Sequence, residues 1–183
     1  TSISENTYFL AWTTTPWTLP GNVALAVGSK INYVVAEGKN HEKFILAEKR
    51  LGILQEGTVK VAVSQPVKTK DLVGLEYEPL FDVPRLQTKT SHKVYPADFI
   101  TTEEGTGIVH TAVMYGEDDY ELGKKIGLPK HHTVDEGGRF TKEVRDFEGQ
   151  FVKDAEKGII EYLKSGGLLF KTETYTHSYP FCW

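Results

Sequence analysis

Cysteine and long apolar runs are the two features that this sequence most clearly lacks. Its 183 residues include one cysteine, so no disulfide can form within the chain, and we expect a reducing compartment, the cytoplasm. No apolar run approaches the roughly 20 residues that a membrane-spanning helix needs, so we expect no membrane contact. The first residues, Thr1–Glu5, contain neither an initiator methionine nor the basic start of a signal peptide.

An excess of positive charge is also missing. The net charge is −4, with 21 Lys and Arg residues against 25 Asp and Glu residues. Proteins that bind nucleic acid without sequence preference draw most of their affinity from clustered basic residues, so this class is disfavoured. If RNA binds here, we expect the rest of a larger protein to supply much of the affinity.

Several common catalytic and metal-binding motifs are absent as well. The sequence contains no Gly-x-Ser-x-Gly, no phosphate-binding glycine loop and no His-Glu-x-x-His. Cys182 lies near the end of the chain among aromatic residues, and we interpret it as structural. His131 and His132 are sequence neighbours whose rings cannot easily face one metal ion. We therefore expect neither a metal nor a cofactor in this chain.

Short apolar runs of β-forming residues dominate the chain, which predicts a β-rich α+β domain, barrel-like, with peripheral helices. Charge placement predicts a helix over Glu117–Ile126, and apolar spacing predicts another over Asp154–Ser165, capped by Gly166. A shorter helix is expected within Glu48–Gln55, and a hairpin over Thr133–Phe140. The predicted extended segments are Tyr8–Trp12, Val23–Val27, Tyr33–Ala36, Lys43–Ala47, Val59–Val63, Leu72–Leu75, a strand pair formed by Asp98–Thr102 and Gly107–Thr111, and Leu168–Tyr175.

A threonine-rich stretch, Thr13–Asn22, follows the first of these strands. Pro16 and Pro20 remove backbone donors and Gly21 permits a sharp turn, so the strand must end here. The stretch carries one indole and four hydroxyl groups, those of Trp17 and of Thr13, Thr14, Thr15 and Thr18. Composition alone favours the plainer interpretation, a threonine-rich edge strand followed by a turn.

His110 and Asp119 are the other polar residues with a candidate chemical role. His110 ends a predicted strand after two glycines, which permit close approach of a ligand or of another backbone segment. Asp119 lies in the first turn of a predicted helix. Each also has a plainer explanation: a partly buried histidine with satisfied hydrogen bonds, and a carboxylate that interacts with the helix dipole, worth about 0.3–1 kcal/mol.

Three motifs, in one order along the chain, resemble those of the editing domains of class I aminoacyl-tRNA synthetases, in their isoleucyl form. They are Thr13–Asn22, then Gly105–His110 with Gly116–Tyr120, and finally His177–Trp183. Valyl and leucyl relatives usually have Thr-Thr-Arg-Pro in the first motif, where this chain has Thr15 in place of the arginine. The resemblance implies that residues 1–183 are a single editing domain, excised from a larger, ATP-binding synthetase.

The resemblance also implies a function, the hydrolysis of valyl-tRNA(Ile) as a second sieve against valine, and it leaves open whether valyl-adenylate is a further substrate. Thr13, Thr14, Thr15 and Asp119 would then be catalytic, because the hydroxyls can hold a water and the carboxylate can bind the substrate's α-ammonium group. The implied substrate-binding residues are Trp17, Thr18, Asn22, His110 and Tyr115, of which Asn22 would also order the loop. The implied partners are the 3′ end of tRNA(Ile) and the remainder of the synthetase chain.

The chain departs from the family pattern at one loop. Family members commonly have proline after His-x-Ala, whereas residues 110–115 here read His-Thr-Ala-Val-Met-Tyr, so Tyr115 brings a hydroxyl where an apolar ring often lies. In the family's full-length enzymes the residue at Cys182 begins a zinc half-site, of which three of four ligands would be absent here. Two other functions stay open: editing in a valyl enzyme, and a non-catalytic β-barrel that binds RNA or protein.

Overall fold

Seven short strands among the described residues form two sheets. The computed structural model describes residues 6–38, 41–55 and 62–175. The first sheet has the order β1-β4-β3-β5, in which β1 is parallel to β4 and the other neighbours are antiparallel. Its strands are β1 (Thr7–Phe9), β3 (Tyr33–Glu37), β4 (Lys43–Ala47) and β5 (Ala62–Val67).

The second sheet has three strands, and its central strand is β2 (Ala24–Gly28). β6 (Lys93–Ala97) pairs with β2 in parallel, and β7 (Ile108–Thr111) pairs with it antiparallel. All five residues of β2 are buried, as a continuous apolar run with neighbours on both sides requires. The register places Leu25 opposite His110, so β2 fixes the position of that histidine.

The helices lie around these sheets, and this mixed architecture confirms the predicted fold class. They are α1 (Gly52–Gln55), α2 (Thr69–Leu72), α3 (Glu117–Ile126) and α4 (Val152–Ser165), with 3-10 turns at Pro16–Gly21, Glu48–Arg50, Pro84–Leu86 and Arg145–Phe147. The predicted bounds of α3 are confirmed: it begins with three acids, ends with two lysines and is closed by Gly127 in the left-handed conformation. The prediction of α4 is also confirmed, with Ala155, Ile159 and Leu163 on its buried face.

Helix α4 packs against the 3-10 turn Pro16–Gly21. The two elements are in contact, and Leu19 of the turn shares a core cluster with Ile159 of α4. Val23, Val113 and Phe140 belong to the same cluster. The threonine-rich stretch is therefore held between a packed core on one side and the end of the second sheet on the other.

Two predicted strands are wrong. Residues 98–102 form bends and irregular backbone, and their predicted partner, β7, instead pairs with β2 and bridges to Trp12 through Val109. Their apolar residues, Phe99 and Ile100, pack with Leu122 of α3. Residues 168–175 contain no strand, and their aromatic rings instead pack edge-on against other rings, Phe170 on Phe44 and Tyr175 on Trp12, with ring centroids 5.3 Å apart in each pair.

Several other segments differ in extent from their predictions. Tyr8–Trp12 is a strand only as far as Phe9, and Leu72 ends helix α2 instead of opening an extended segment. Glu48–Gln55 is divided into a 3-10 turn and α1. The hairpin Thr133–Phe140 is confirmed by a bridge between Val134 and Phe140, with Gly138 at φ 73° in its turn.

Some predictions fall partly or wholly outside the described residues. These are the third motif with Cys182, the start of the strand Val59–Val63, and two turn residues between β3 and β4. Within the part of the chain that the structure describes, no helix is long and apolar enough to cross a membrane.

Candidate functional site

A cavity of about 250 Å³ lies where the threonine-rich stretch, the end of β7 and the start of α3 meet. An isolated parallel bridge between Trp12 and Val109 brings the first two segments together. The lining residues are Trp12, Thr13, Thr14, Thr15, Thr18, Val109, His110, Ala112, Tyr115 and Asp119. Seven of the nine residues singled out from the sequence are therefore neighbours in space.

The threonine-rich stretch folds through its own hydroxyl groups and one proline. Pro16 begins the 3-10 turn, where its fixed φ is favourable and a missing N–H costs nothing. Thr15 lies before it, and its backbone N–H donates to Thr13 Oγ1 at 3.1 Å. The hydroxyl of Thr14 makes no hydrogen bond within the described residues. The protons of Thr13 and Thr14 thus stay available to a ligand.

Thr18 connects this stretch to His110. Its Oγ1 lies 2.9 Å from the carbonyl oxygen of Thr15, 3.2 Å from Thr15 Oγ1 and 3.1 Å from His110 Nε2. We assign the single hydroxyl proton to the shortest of these bonds. Thr18 Oγ1 then accepts from Thr15 Oγ1–H and from His110 Nε2–H, which fixes the histidine tautomer and leaves Thr15 Oγ1 as an acceptor.

His110 is a neutral ring with one unused nitrogen. Burial lowers the pKa of His110 to about 4, so the imidazole carries no charge at neutral pH. Its Nδ1 is buried and has no hydrogen-bond partner among the described residues. The preceding glycines serve the fold, since a Cβ at Gly107 would lie 2.5 Å from Ala47 Cβ in the other sheet.

Asp119 is the third residue of α3, and its carboxylate folds back over the start of the helix. Oδ2 accepts a hydrogen bond of 3.0 Å from the backbone N–H of Ala112. Burial raises the pKa of Asp119, the bond from Ala112 lowers it, and the charge of Asp118 raises it, so that the net shift is upward. No hydrogen bond within the described residues engages Oδ1, so this oxygen remains available as an acceptor, and Asp119 is one of the residues that line the cavity.

Tyr115 forms a wall whose hydroxyl is already in use. That hydroxyl lies 2.8 Å from Thr133 Oγ1 and accepts from Thr133 N–H at 2.8 Å. The ring packs edge-on against Trp17, with centroids 5.2 Å apart, and closely over Gly21. The Tyr115 hydroxyl, which departs from the family pattern, is thus hydrogen-bonded to Thr133.

Trp17 and Asn22, both predicted to contact substrate, are not among the residues that line the cavity. Trp17 belongs to the 3-10 turn, and its side chain packs against the core cluster that contains Leu19. Asn22 is buried, and its side chain bonds to the carbonyl of Ala24 and to the hydroxyl of Tyr77. This placement accords with the loop-ordering role also expected for Asn22.

Three lining residues were not predicted from the sequence: Trp12, Val109 and Ala112. Apolar residues at strand ends resemble any other core residue, so no sequence signal separates them.

The two neighbouring histidines contact different residues. His131 Nε2 lies 3.8 Å from Glu143 Oε1, and the His132 ring lies edge-on to Tyr115. Within residues 6–38, 41–55 and 62–175, no group of three His, Cys, Asp or Glu side chains could hold a metal ion.

A larger groove of about 520 Å³ lies beside β6, lined by Glu76, Tyr77, Thr88, Lys89, Ser91, His92 and Lys93. Its charged groups include the ion pair Lys93–Glu76, at 3.0 Å. The smaller cavity is the better candidate, because convergent hydroxyls, a buried unpaired nitrogen and a carboxylate of raised pKa meet there.

Comparison with curated proteins finds isoleucine–tRNA ligases. The chain is 49% identical over 179 residues to that of Clostridium novyi and 50% identical over 179 residues to that of Clostridium acetobutylicum. The ligase of Bdellovibrio bacteriovorus is 47% identical over 181 residues. Each alignment covers 97–98% of this chain but only 17% of the relative, so the chain spans about a sixth of their length. No family model matches the chain.

Comparison with solved structures finds synthetase editing domains. The editing domain of the Plasmodium falciparum cytosolic leucyl-tRNA synthetase matches with a TM-score of 0.69 and 13% identity, covering 87% of this chain and 77% of that one. The Plasmodium knowlesi domain matches with a TM-score of 0.63 and 16% identity, covering 87% and 82%. A structure named GlLeuRS-CP1 matches with a TM-score of 0.68 and 18% identity, covering 94% and 87%. At these identities the likeness shows the fold.

Proposed function

The chain is homologous, over 98% of its length, to one segment of the isoleucine–tRNA ligases, and from this we propose that it is an editing domain that hydrolyses misacylated tRNA. The proposed substrate is valyl-tRNA(Ile), with valyl-adenylate as a second substrate of the same chemistry. One observation carries the proposal: the free hydroxyls of the threonine-rich stretch and the Asp119 carboxylate line one small cavity, of which the neutral His110 ring forms a wall.

Asp119 is the proposed ligand of the substrate's α-ammonium group. Its Oδ1 is free to accept at the cavity while Oδ2 is held by Ala112. A partly buried carboxylate with a raised pKa gains a compensating charge when a cation binds, and a charge-assisted hydrogen bond is worth about 1.5–3 kcal/mol. The free amino group distinguishes an aminoacyl ester from a peptidyl ester, so this contact would select the former.

The threonine hydroxyls would position the water and the ester oxygens. Thr13 and Thr14 have protons to donate, to the developing oxyanion or to a ribose hydroxyl. Thr15 Oγ1 has its proton committed to Thr18, so it would accept a hydrogen bond from the attacking water. An aminoacyl ester is already activated, and positioning of this kind removes the need for a covalent nucleophile.

His110 would limit substrate size and take no part in proton transfer. A base whose pKa is about 4 is poorly matched to reaction at neutral pH, and Nε2 already carries a proton donated to Thr18. The cavity has a volume of about 250 Å³. That space suits a small aliphatic aminoacyl group with its attacking water, and the nucleoside would lie outside it.

A second site is needed because a site that binds isoleucine cannot reject the smaller valine strongly enough by affinity alone. Rejection of valine by a site built for isoleucine depends on one methylene, worth about 1–3 kcal/mol, and isoleucyl-tRNA synthetase is itself the known measured case. A cavity that admits valine and excludes isoleucine supplies the remaining fidelity. We propose accordingly that residues 1–183 act as one editing domain within a cytoplasmic synthetase, with the 3′ end of tRNA(Ile) and the rest of that synthetase as partners.

Deacylation of three substrates tests this proposal: valyl-tRNA(Ile), isoleucyl-tRNA(Ile) and threonyl-tRNA(Val), each with the chain and with a full-length ligase that contains it. We expect hydrolysis of the first and sparing of the second. Asp119→Ala should lower kcat/KM about 10- to 100-fold, the equivalent of one charge-assisted bond. Asp118→Ala removes the exposed neighbouring acid and is the control. It should leave kcat/KM within twofold of wild type, because an exposed charge contributes little interaction energy.

The other outcomes separate the competing functions. Preferential hydrolysis of threonyl-tRNA(Val) would favour editing in a valyl enzyme. Failure of both preparations to hydrolyse any of the three would favour a non-catalytic binding domain. Equal rates for Asp119→Ala and wild type at subsaturating substrate would remove Asp119 from the site.

A further inference from the structure

Asn22 joins the two segments that carry the candidate site. It follows the 3-10 turn Pro16–Gly21, to which its backbone N–H donates at the carbonyl of Leu19, 3.0 Å away. Its side-chain Nδ2 donates to the carbonyl of Ala24 at 3.0 Å and reaches that of Thr111 at 3.5 Å. Thr111 is the residue after His110, so one buried amide contacts both the threonine-rich side and the histidine side of the cavity.

Tyr77 holds the other end of that amide. Its hydroxyl donates to Asn22 Oδ1 across 2.6 Å, and this oxygen needs a donor because the residue is buried. The same bond fixes the orientation of the amide: oxygen faces the tyrosine hydroxyl, and nitrogen faces two carbonyl groups. Burial raises the pKa of Tyr77, so the hydroxyl keeps its proton for this bond at any physiological pH.

The segment around Tyr77 is itself firmly placed. Its backbone N–H donates to the carbonyl of His92 at 2.9 Å, and its ring lies edge-on to the rings of His92 and Phe9, with centroids 5.7 and 6.4 Å away. His92 has a left-handed backbone, φ 54°, and its N–H donates to the carbonyl of Val23 at 2.7 Å. Tyr77 and Asn22 are thus connected both through side chains and through the backbone of Val23.

We propose that Tyr77 is a positioning residue of the candidate site, which acts through Asn22 to keep the threonine-rich stretch and His110 in register. The inference rests on the proposed function and adds a residue that does not touch the cavity. Without the tyrosine hydroxyl, Asn22 Oδ1 is a buried acceptor with no donor, and the amide rotates or admits water. Its bond to Ala24 and its contact with Thr111 weaken as a result.

Tyr77→Phe tests the proposal, because it removes one hydroxyl and keeps the ring. We expect kcat for valyl-tRNA(Ile) to fall about tenfold with KM within about twofold, since misplacement of reacting groups acts on the chemical step. Tyr95→Phe is the matched control: Tyr95 lies on β6 and donates to the carbonyl of Thr90 at 2.8 Å, with no bond to Asn22. It loses an equivalent hydrogen bond and should keep the wild-type kcat.

A double variant and a spectroscopic measurement complete the test. If Tyr77 acts through Asn22, then Asn22→Ala with Tyr77→Phe should be no slower than Asn22→Ala alone. In nuclear magnetic resonance spectra of the chain, Tyr77→Phe should shift the side-chain amide signals of Asn22 and the ring signals of His110, and Tyr95→Phe should leave both in place. Equal loss of kcat in the two phenylalanine variants, or His110 signals unmoved by Tyr77→Phe, would overturn the proposal. A wild type without deacylase activity would instead overturn the proposed function, while the spectra would still decide the role of Tyr77.

Discussion

Asp119 has two explanations that predict opposite effects on stability. As an acid in the first turn of α3 it would interact favourably with the helix dipole, by about 0.3–1 kcal/mol. As a partly buried carboxylate it has a raised pKa, with burial as the main cause, so its charged form is disfavoured in the folded chain. The sign follows from linkage: the cost is absent below the unfolded pKa of about 3.9 and grows as pH rises through the folded value.

Asp119→Asn should therefore leave the free energy of unfolding at pH 7 equal to or above that of wild type. The new amide oxygen can still accept from the N–H of Ala112, while the cost of a buried charge is removed. Denaturant titrations at pH 7 and pH 4 would measure the difference, which should shrink at the lower pH. Asp118→Asn, at an exposed position, serves as control. A variant less stable than wild type at pH 7 would mean that the dipole interaction dominates and that Asp119 needs no functional explanation.

His110→Ala should enlarge the cavity enough to admit isoleucine. A loose pocket would favour isoleucine over valine by about 0.8 kcal/mol for the added methylene, so its exclusion must be steric. Forcing a methylene into a well-packed site costs about 1–3 kcal/mol, which a rigid ring held by Thr18 can impose. The variant should hydrolyse isoleucyl-tRNA(Ile) and keep some activity on valyl-tRNA(Ile), as a deacylation assay would measure.

His132→Ala is the matched control, because that ring is exposed, does not line the cavity and lies edge-on to Tyr115 with centroids 6.3 Å apart. The wild-type preference should also stay constant from pH 5.5 to pH 8, since the pKa of His110 is about 4 and the ring stays neutral throughout. Loss of both activities in His110→Ala would show a chemical or structural role. If His110→Ala still did not hydrolyse isoleucyl-tRNA(Ile), then Tyr115 and Thr18 would be the residues that limit substrate size.

At the scale of elements, sequence patterns predicted those whose signals are local. Helix α3 has acids and lysines at its proper ends, and β4 (Lys43–Ala47) is a β-forming run with a turn before it, so both bounds were predicted correctly. The strands expected at residues 98–102 and 168–175 were wrong because β propensity describes burial on a surface as much as strand pairing. Phe99 and Phe170 are half-buried and each packs against a different core cluster, which no local pattern specifies.

The candidate site followed the same division. The hydroxyl-rich turn was visible in the sequence because threonine, proline and glycine have strong local preferences. Its contact with His110 had no local signal, because it joins residues 92 positions apart, and only the family resemblance implied that the two share a site. Tyr77 was missed for the same reason: a lone tyrosine between prolines gives no sign that its hydroxyl will meet Asn22.

Gly21→Ala tests how closely the 3-10 turn and Tyr115 must approach. A Cβ at residue 21 would lie 2.9 Å from Tyr115 Cε2, so the ring must move away from its bonds with Thr133. Overpacking of about 1–3 kcal/mol should lower Tm by several degrees, at about 2–4 °C per kcal/mol for a chain of this length. It should also slow valyl-tRNA(Ile) deacylation. Gly52→Ala, where an added Cβ meets nothing within 4 Å at the start of α1, should leave the deacylation rate unchanged and should not lower Tm, since alanine is the better helix former. Normal stability and activity in Gly21→Ala would mean that this wall of the cavity is compliant.

The whole chain carries too little positive charge to hold tRNA by its backbone. The net charge is −4, and several lysines are paired with acids, among them Lys93 with Glu76 and Lys153 with Glu156. Affinity for nucleic acid falls with salt by a slope of about −0.7 to −0.9 for each phosphate contacted. Recognition confined to a terminal aminoacyl-adenosine would involve few phosphates, whereas recognition of the tRNA body would involve many.

We therefore expect the chain by itself to bind uncharged tRNA weakly, with a slope of log K against log salt shallower than about −3, equivalent to three or four phosphates. Fluorescence anisotropy between 50 and 200 mM salt would measure this slope. A full-length ligase that contains the chain is the comparison, and its slope should be steeper, because the remaining five-sixths of such a protein would supply the backbone contacts. A steep slope for the chain alone would mean that its dispersed lysines and arginines form one surface when RNA is bound. The chain would then have its own means of capturing tRNA, independent of any residues outside it.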